Sequence, residues 1–99
     1  MQIRLTDAAY ADLERLEDCL AVTQDPMATH LLDFLFESVA VLERHPGIGR
    51  PVGGGYRELI IQRGRSGYLA RYRVVEGGNI LRVLRIRHQR ESGYTEDEV

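Results

Sequence analysis

The chain has 99 residues, 43% of them hydrophobic and 28% charged, with a formal net charge of −2. That length and apolar fraction suffice for one modest core, so one domain over residues 1–94 is expected, with a disordered acidic tail at 95–99. A lone cysteine, Cys19, excludes an internal disulfide, and its spacing from His30, His45 and His88 is not that of a zinc site, so neither metal nor cofactor is expected.

No apolar run reaches the roughly 18 residues of a membrane span. The opening Met1-Gln2-Ile3-Arg4-Leu5 has neither a basic leader nor an apolar signal core, which points to the cytoplasm. The small net charge conceals a strong asymmetry. Residues 1–43 carry nine acids against two arginines, a balance of −7; residues 44–90 carry eleven arginines against two acids, +9; residues 91–99 return −4. Every basic residue is arginine, the side chain whose fork suits carboxylates and phosphates. A GC-rich genome explains a lack of lysine equally well, but not the crowding of arginines into the second half.

Residues 2–5 read as a short strand, with Thr6 or Asp7 as the N-cap of a first helix. Ala9, Leu13, Leu16 and Leu20 form its buried stripe, and Asp12, Glu14, Arg15, Glu17 and Asp18 its wet face. Asp25-Pro26 starts a second helix through Leu31, Leu35, Val39 and Leu42, which stops before Pro46 and forms a hairpin with the first through Thr23-Gln24. Leu32, Phe34, Phe36 and Val41 widen its apolar surface beyond one stripe. Either it lies between sheet and first helix, or part of it meets another chain, including a second copy. Residues 46–55 are rich in Gly and Pro and read as a loop with a flexible hinge; without lysine the three glycines are no Walker loop.

Strands follow at 57–62, 68–75 and 80–88, joined by turns short enough for an antiparallel meander. The order is β-α-α-β-β-β, an α+β fold with a helical hairpin packed on an antiparallel sheet. Strict alternation puts Leu81, Val83, Arg85 and Arg87 on one face of the last strand and Arg82, Leu84, Ile86 and His88 on the other. In the strand before it, Tyr68, Ala70 and Tyr72 oppose Leu69, Arg71 and Arg73. The helices cover one sheet face; the other is left partly open with guanidinium groups that suit an acidic peptide or a phosphate backbone. Alternatively these arginines are solvated or pair with Glu58 and the acidic helices. His88, with Arg85, Arg87, Arg90, Glu91 and Tyr94 nearby in sequence, has the residue types for acid–base chemistry; the alternative is a strand-end histidine held by a hydrogen bond.

His45-Pro46-Gly47-Ile48-Gly49-Arg50-Pro51-Val52, Tyr56-Arg57-Glu58-Leu59, Gly67-Tyr68-Leu69-Ala70-Arg71-Tyr72-Arg73 and Leu84-Arg85-Ile86-Arg87-His88-Gln89-Arg90-Glu91 together resemble the RelE/ParE toxin superfamily over nearly the whole chain. The resemblance implies the toxin of a type II toxin–antitoxin operon that maintains a plasmid or responds to stress, neutralised by a cognate antitoxin wrapped around it. RelE-like members cleave mRNA on the ribosome; ParE-like members poison DNA gyrase. Leu69 stands where nuclease members commonly carry arginine, their lysines have no counterpart, and His88-Gln89-Arg90 is similar to ParE-type endings. Arg90-Glu91 with Tyr94 is closer to the RelE tail.

The ParE-like reading is preferred, with gyrase as target and no enzymatic site. Arg71, Arg73, Arg85, Arg87, His88 and Arg90 are then the candidate antitoxin- or target-binding residues. The alternatives are an mRNA endoribonuclease using His88, Arg85, Arg87 and Tyr94, and a non-toxic module that only binds its antitoxin. A toxin dimer or a toxin–antitoxin hetero-oligomer is compatible with each.

Overall fold

In a computed structural model, described here for residues 1–22, 30–75 and 77–90, two helices lie on one face of a five-stranded sheet. The elements are β1 (Gln2–Leu5), α1 (Asp7–Val22), α2 (Leu31–Ala40) with a following 3-10 turn (Val41–Glu43), β2 (Arg50–Gly53), β3 (Tyr56–Arg63), β4 (Ser66–Val74) and β5 (Ile80–His88). The α+β class and the meander of β3, β4 and β5 match the sequence expectation. The sheet is nevertheless mixed rather than antiparallel: its order is β1-β5-β4-β3-β2, and β1 runs parallel to β5. The expected start of the second helix at Asp25-Pro26, the Thr23-Gln24 connection, the Leu20 side chain, Tyr94 and the 95–99 tail lie outside the described residues.

Thr6 is the N-cap of α1, since Ala9 N–H donates to Thr6 Oγ1 at 3.1 Å. The buried stripe of α1 contains Ala9, Leu13 and Leu16 as expected, and also Asp12, which is 2% exposed rather than wet. Leu31, Leu35, Val39 and Leu42 bring α2 and its 3-10 extension into the same core, against Ile61, Ala70, Tyr72, Leu81, Val83 and Ile86 of the sheet. Leu32 and Phe34 pack partly against this core, whereas Phe36 and Val41 remain exposed. Burial of these side chains contributes on the order of 1.5–3 kcal/mol each, the main force holding helices to sheet.

Residues 46–55, expected to be a loop, contain β2. Arg50 and Pro51 pair with Glu58 and Arg57 of β3, and the hairpin closes through Gly53, Gly54 and Gly55. All three have φ between 65 and 91°, the left-handed region that L side chains rarely adopt, so this run serves a tight turn. Pro51 within a strand is tolerated because β2 is a sheet edge.

A β-bulge corrects the expected faces of β5. Arg71 is opposite Arg85 but Tyr72 is opposite Val83, which leaves Leu84 as an extra residue. Alternation therefore resets at Leu84. Leu81, Val83 and Ile86 all enter the core, and Arg85 and Arg87 align with Arg71 and Leu69 on the opposite side.

Candidate functional site

The face of the sheet turned away from the helices carries Tyr56 and Glu58 from β3, Leu69, Arg71 and Arg73 from β4, and Arg82, Arg85 and Arg87 from β5. Among the described residues, its acid Glu58 is engaged. Glu58, 3% exposed, receives Arg50 Nη2 at 2.9 Å and lies 3.6 Å from Arg71 Nη2. Arg73 stands 5.7 Å from the centre of the Tyr56 ring, a cation–π arrangement, and is opposite Arg82 across the ladder.

Arg85 is held from the sheet edge. β1 accompanies β5 only from Ile80 to Val83, and beyond that point side chains of α1 and its N-cap take over the role of a neighbouring strand. Thr6 Oγ1 donates to Leu84 O at 2.8 Å, Ile86 N–H donates to Asp12 Oδ2 at 2.8 Å, and Arg15 Nη2 reaches Ile86 O at 3.4 Å. The same Asp12 carboxylate accepts both Nε and Nη2 of Arg85 at 2.7 Å, a bidentate fork. Burial pushes the Asp12 carboxyl up. Hydrogen bonds from Arg85 and Ile86, the Arg85 charge and Arg15 outweigh that penalty and hold it below its ordinary value. Asp12 was not among the candidate residues, although it falls three residues after Ala9 and four before Leu16 on the apolar stripe.

Leu84, displaced by the bulge, and Arg85 help enclose a pocket of about 480 Å³. The β2–β3 hairpin supplies Val52, Gly53, Gly54 and Tyr56 to it, and β4 supplies Arg71. Arg71 and Arg85, both candidate binding residues, are thus brought together by the bulge. Arg73 and Arg87 share their face, outside this pocket.

His88 is separated from these arginines. It is opposite Tyr68, a core residue that is 2% exposed, and the two rings meet edge to face with centres 5.1 Å apart. Its Nδ1 accepts Arg90 N–H at 3.0 Å, which leaves the proton of a neutral ring on Nε2. His88 is therefore hydrogen-bonded at a strand end, on the helix side of the sheet, whereas Arg87 is opposite Leu69 on the other side. Arg90 is exposed just beyond. Leu69 is 5% exposed and aligned with Ile60 and Arg87. Among the described residues no three His, Cys, Asp or Glu side chains stand together as a metal site, and no helix is long and apolar enough to cross a membrane.

This architecture matches a solved structure described as a chromosomal ParDE TA system from P. aeruginosa, with a TM-score of 0.74 and 29% identity over 89% of this chain and 95% of that one. No curated protein matches at a significant level. The family model described as the ParE toxin of the type II toxin-antitoxin system, parDE, matches residues 3–93, so with its sheet, hairpin and helix pair in place the chain belongs to the ParE toxin family.

Proposed function

We propose that the chain arrests growth by inhibiting DNA gyrase and is neutralised by a cognate antitoxin laid across the arginine-bearing face. The family match over residues 3–93 carries this reading. Site geometry supports binding over bond cleavage: the His88 ring packs with Tyr68 on the helix side, away from Arg71, Arg73 and Arg85. A general base must lie within hydrogen-bond reach of the proton that it removes, and among the described residues His88 is on the sheet face opposite to that of Arg71, Arg73 and Arg85.

The direct test is supercoiling by purified gyrase. Micromolar toxin is expected to suppress supercoiling and to accumulate cleaved DNA, and unaffected gyrase at that concentration overturns the proposal. Mapping mRNA ends after induction separates the ribonuclease alternative, for which new cleavage sites within translated messages would be required. Growth without arrest on expression of the lone gene would favour a module that only binds its antitoxin.

Antitoxin binding is tested by Arg73→Glu with Arg82→Glu, a pair on the open face that takes no part in the Asp12 or Glu58 ion pairs. Two reversals on one face are expected to weaken the complex by about tenfold or more, chiefly at low salt, because complementary charge steers and orients the partner. Unchanged affinity in a calorimetric titration would remove this face from the interface.

A further inference from the structure

The pocket between the hairpin and the bulge has two chemically different sides. Val52, 38% exposed, and the half-buried Leu84 form an apolar wall; Arg71 and Arg85 bring two guanidinium groups to the same cavity. A phosphate backbone would satisfy the arginines and leave the apolar wall against water or charge. A purely apolar side chain would take two guanidinium groups further from water without adding a complementary charge. The lining suits a carboxylate carried beside an aliphatic or aromatic group.

Two further observations favour an anion from a protein partner. Arg85 is locked by its fork to Asp12, and Arg71 is positioned by Glu58, so these groups are already ordered and lose little further freedom on binding. Among the described residues, Arg50, Arg71, Arg73, Arg82, Arg85 and Arg87 stand around the pocket against the carboxylates of Asp12 and Glu58, a balance of +4. The glycine turn keeps the mouth open: a Cβ added at Gly53 would meet nothing within 4 Å. A volume of about 480 Å³ holds one or two side chains.

We propose that this pocket is the anchor socket for an adjacent acidic and apolar pair of antitoxin side chains, the carboxylate directed to Arg71 and Arg85 and the apolar group to Val52 and Leu84. The inference rests on the proposed neutralisation of the toxin across this face. It adds that the binding energy is concentrated here, as interfaces concentrate it in desolvated pockets lined by arginine and aromatic side chains.

Val52→Glu places a carboxylate at the mouth from an exposed edge strand, where the fold is indifferent to it. Purified toxin variants are titrated with the full-length antitoxin encoded in the same operon. Val52→Glu is expected to weaken binding about 30-fold or more, through lost apolar contact and like-charge repulsion. Ile60→Glu, on the same sheet face but outside the pocket, is expected to change it less than about threefold, as for an interface rim. Val52→Ala and thermal unfolding of each variant control for folding.

Wild-type affinity in Val52→Glu overturns the socket; if Arg73→Glu with Arg82→Glu still weakens binding, the neutralisation reading survives alone. Wild-type affinity in all variants removes both. An equal loss in Ile60→Glu also overturns a concentrated anchor.

Discussion

Replacing Asp12 by alanine is expected to lower the unfolding free energy by about 3–5 kcal/mol, the range for breaking a buried ion pair from one side. The loss is large because one carboxylate serves four donors, Arg85 Nε, Arg85 Nη2 and Ile86 N–H at 2.7, 2.7 and 2.8 Å and Arg15 Nη2 at 3.3 Å. Alanine removes the Asp12 charge from a guanidinium group that is 18% exposed and takes the acceptor from the Ile86 N–H. Asp12→Asn retains an acceptor for one donor and should cost less. Urea unfolding with an unchanged m-value would measure both. A loss below about 1 kcal/mol, typical of exposed pairs, would mean that α1 does not hold the edge of β5.

The same residue gives the fold an acid-sensitive contribution. The folded carboxyl titrates below its ordinary value of 3.8, so its stabilisation is fully present above that pH and is lost as pH falls through the folded value. Wild type should lose stability below about pH 4 more steeply than Asp12→Asn, which has no carboxyl to protonate at that position. Equal slopes for the two proteins would contradict a depressed Asp12.

Elements built on local patterns could be read from the sequence. The stripes of α1 and α2 and the alternation of β3 and β4 depend on neighbours a few residues apart, and the ordered set of segments from His45 to Glu91 carried the family resemblance. What could not be read depended on partners distant in the chain. Asp12 looks like any wet helical acid until Ile86, 74 residues later, presents an unpaired backbone N–H to it. β2 is concealed in a Gly- and Pro-rich run because its pairing with β3 is short and one-sided. The Leu84 bulge has no local sign, yet it moves Arg85 and Ile86 to faces opposite to those that strict alternation assigns. Arg71 and Arg85 could be named as candidate binding residues, but strict alternation grouped Arg85 with Leu81 and Val83; that Arg85 faces Arg71 and shares a pocket with it, Val52 and Leu84 required both the bulge and β2.

Gly49→Ala is the second change expected to have a large effect, about 2–4 kcal/mol, from overpacking combined with a strained buried hydrogen bond. Tyr72, 0% exposed, ties residues 46–49 to the sheet: Gly49 N–H donates to its hydroxyl at 2.8 Å, and the hydroxyl donates to Pro46 O at 2.7 Å. A Cβ on Gly49 would lie 2.5 Å from Tyr72 Oη, 2.6 Å from Cε1 and 2.9 Å from Cζ, and a wholly buried ring has no room to yield. Tyr72→Phe alone should cost about 1–3 kcal/mol, since it leaves Gly49 N–H and Pro46 O unsatisfied. It should not rescue Gly49→Ala, because the two ring carbons remain too close.

The double variant should nevertheless lose less than the sum of the singles, since both disturb the same hydrogen bond. Gly49 immediately precedes β2, so its displacement should also shift Arg50 and Val52, and with them one wall of the pocket. Reduced antitoxin affinity in Gly49→Ala, measured where the variant is still folded, would therefore show that the latch sets the position of the hairpin. Full stability in the double variant would instead mean that the hydroxyl, not the ring, makes the contact that excludes a side chain at position 49.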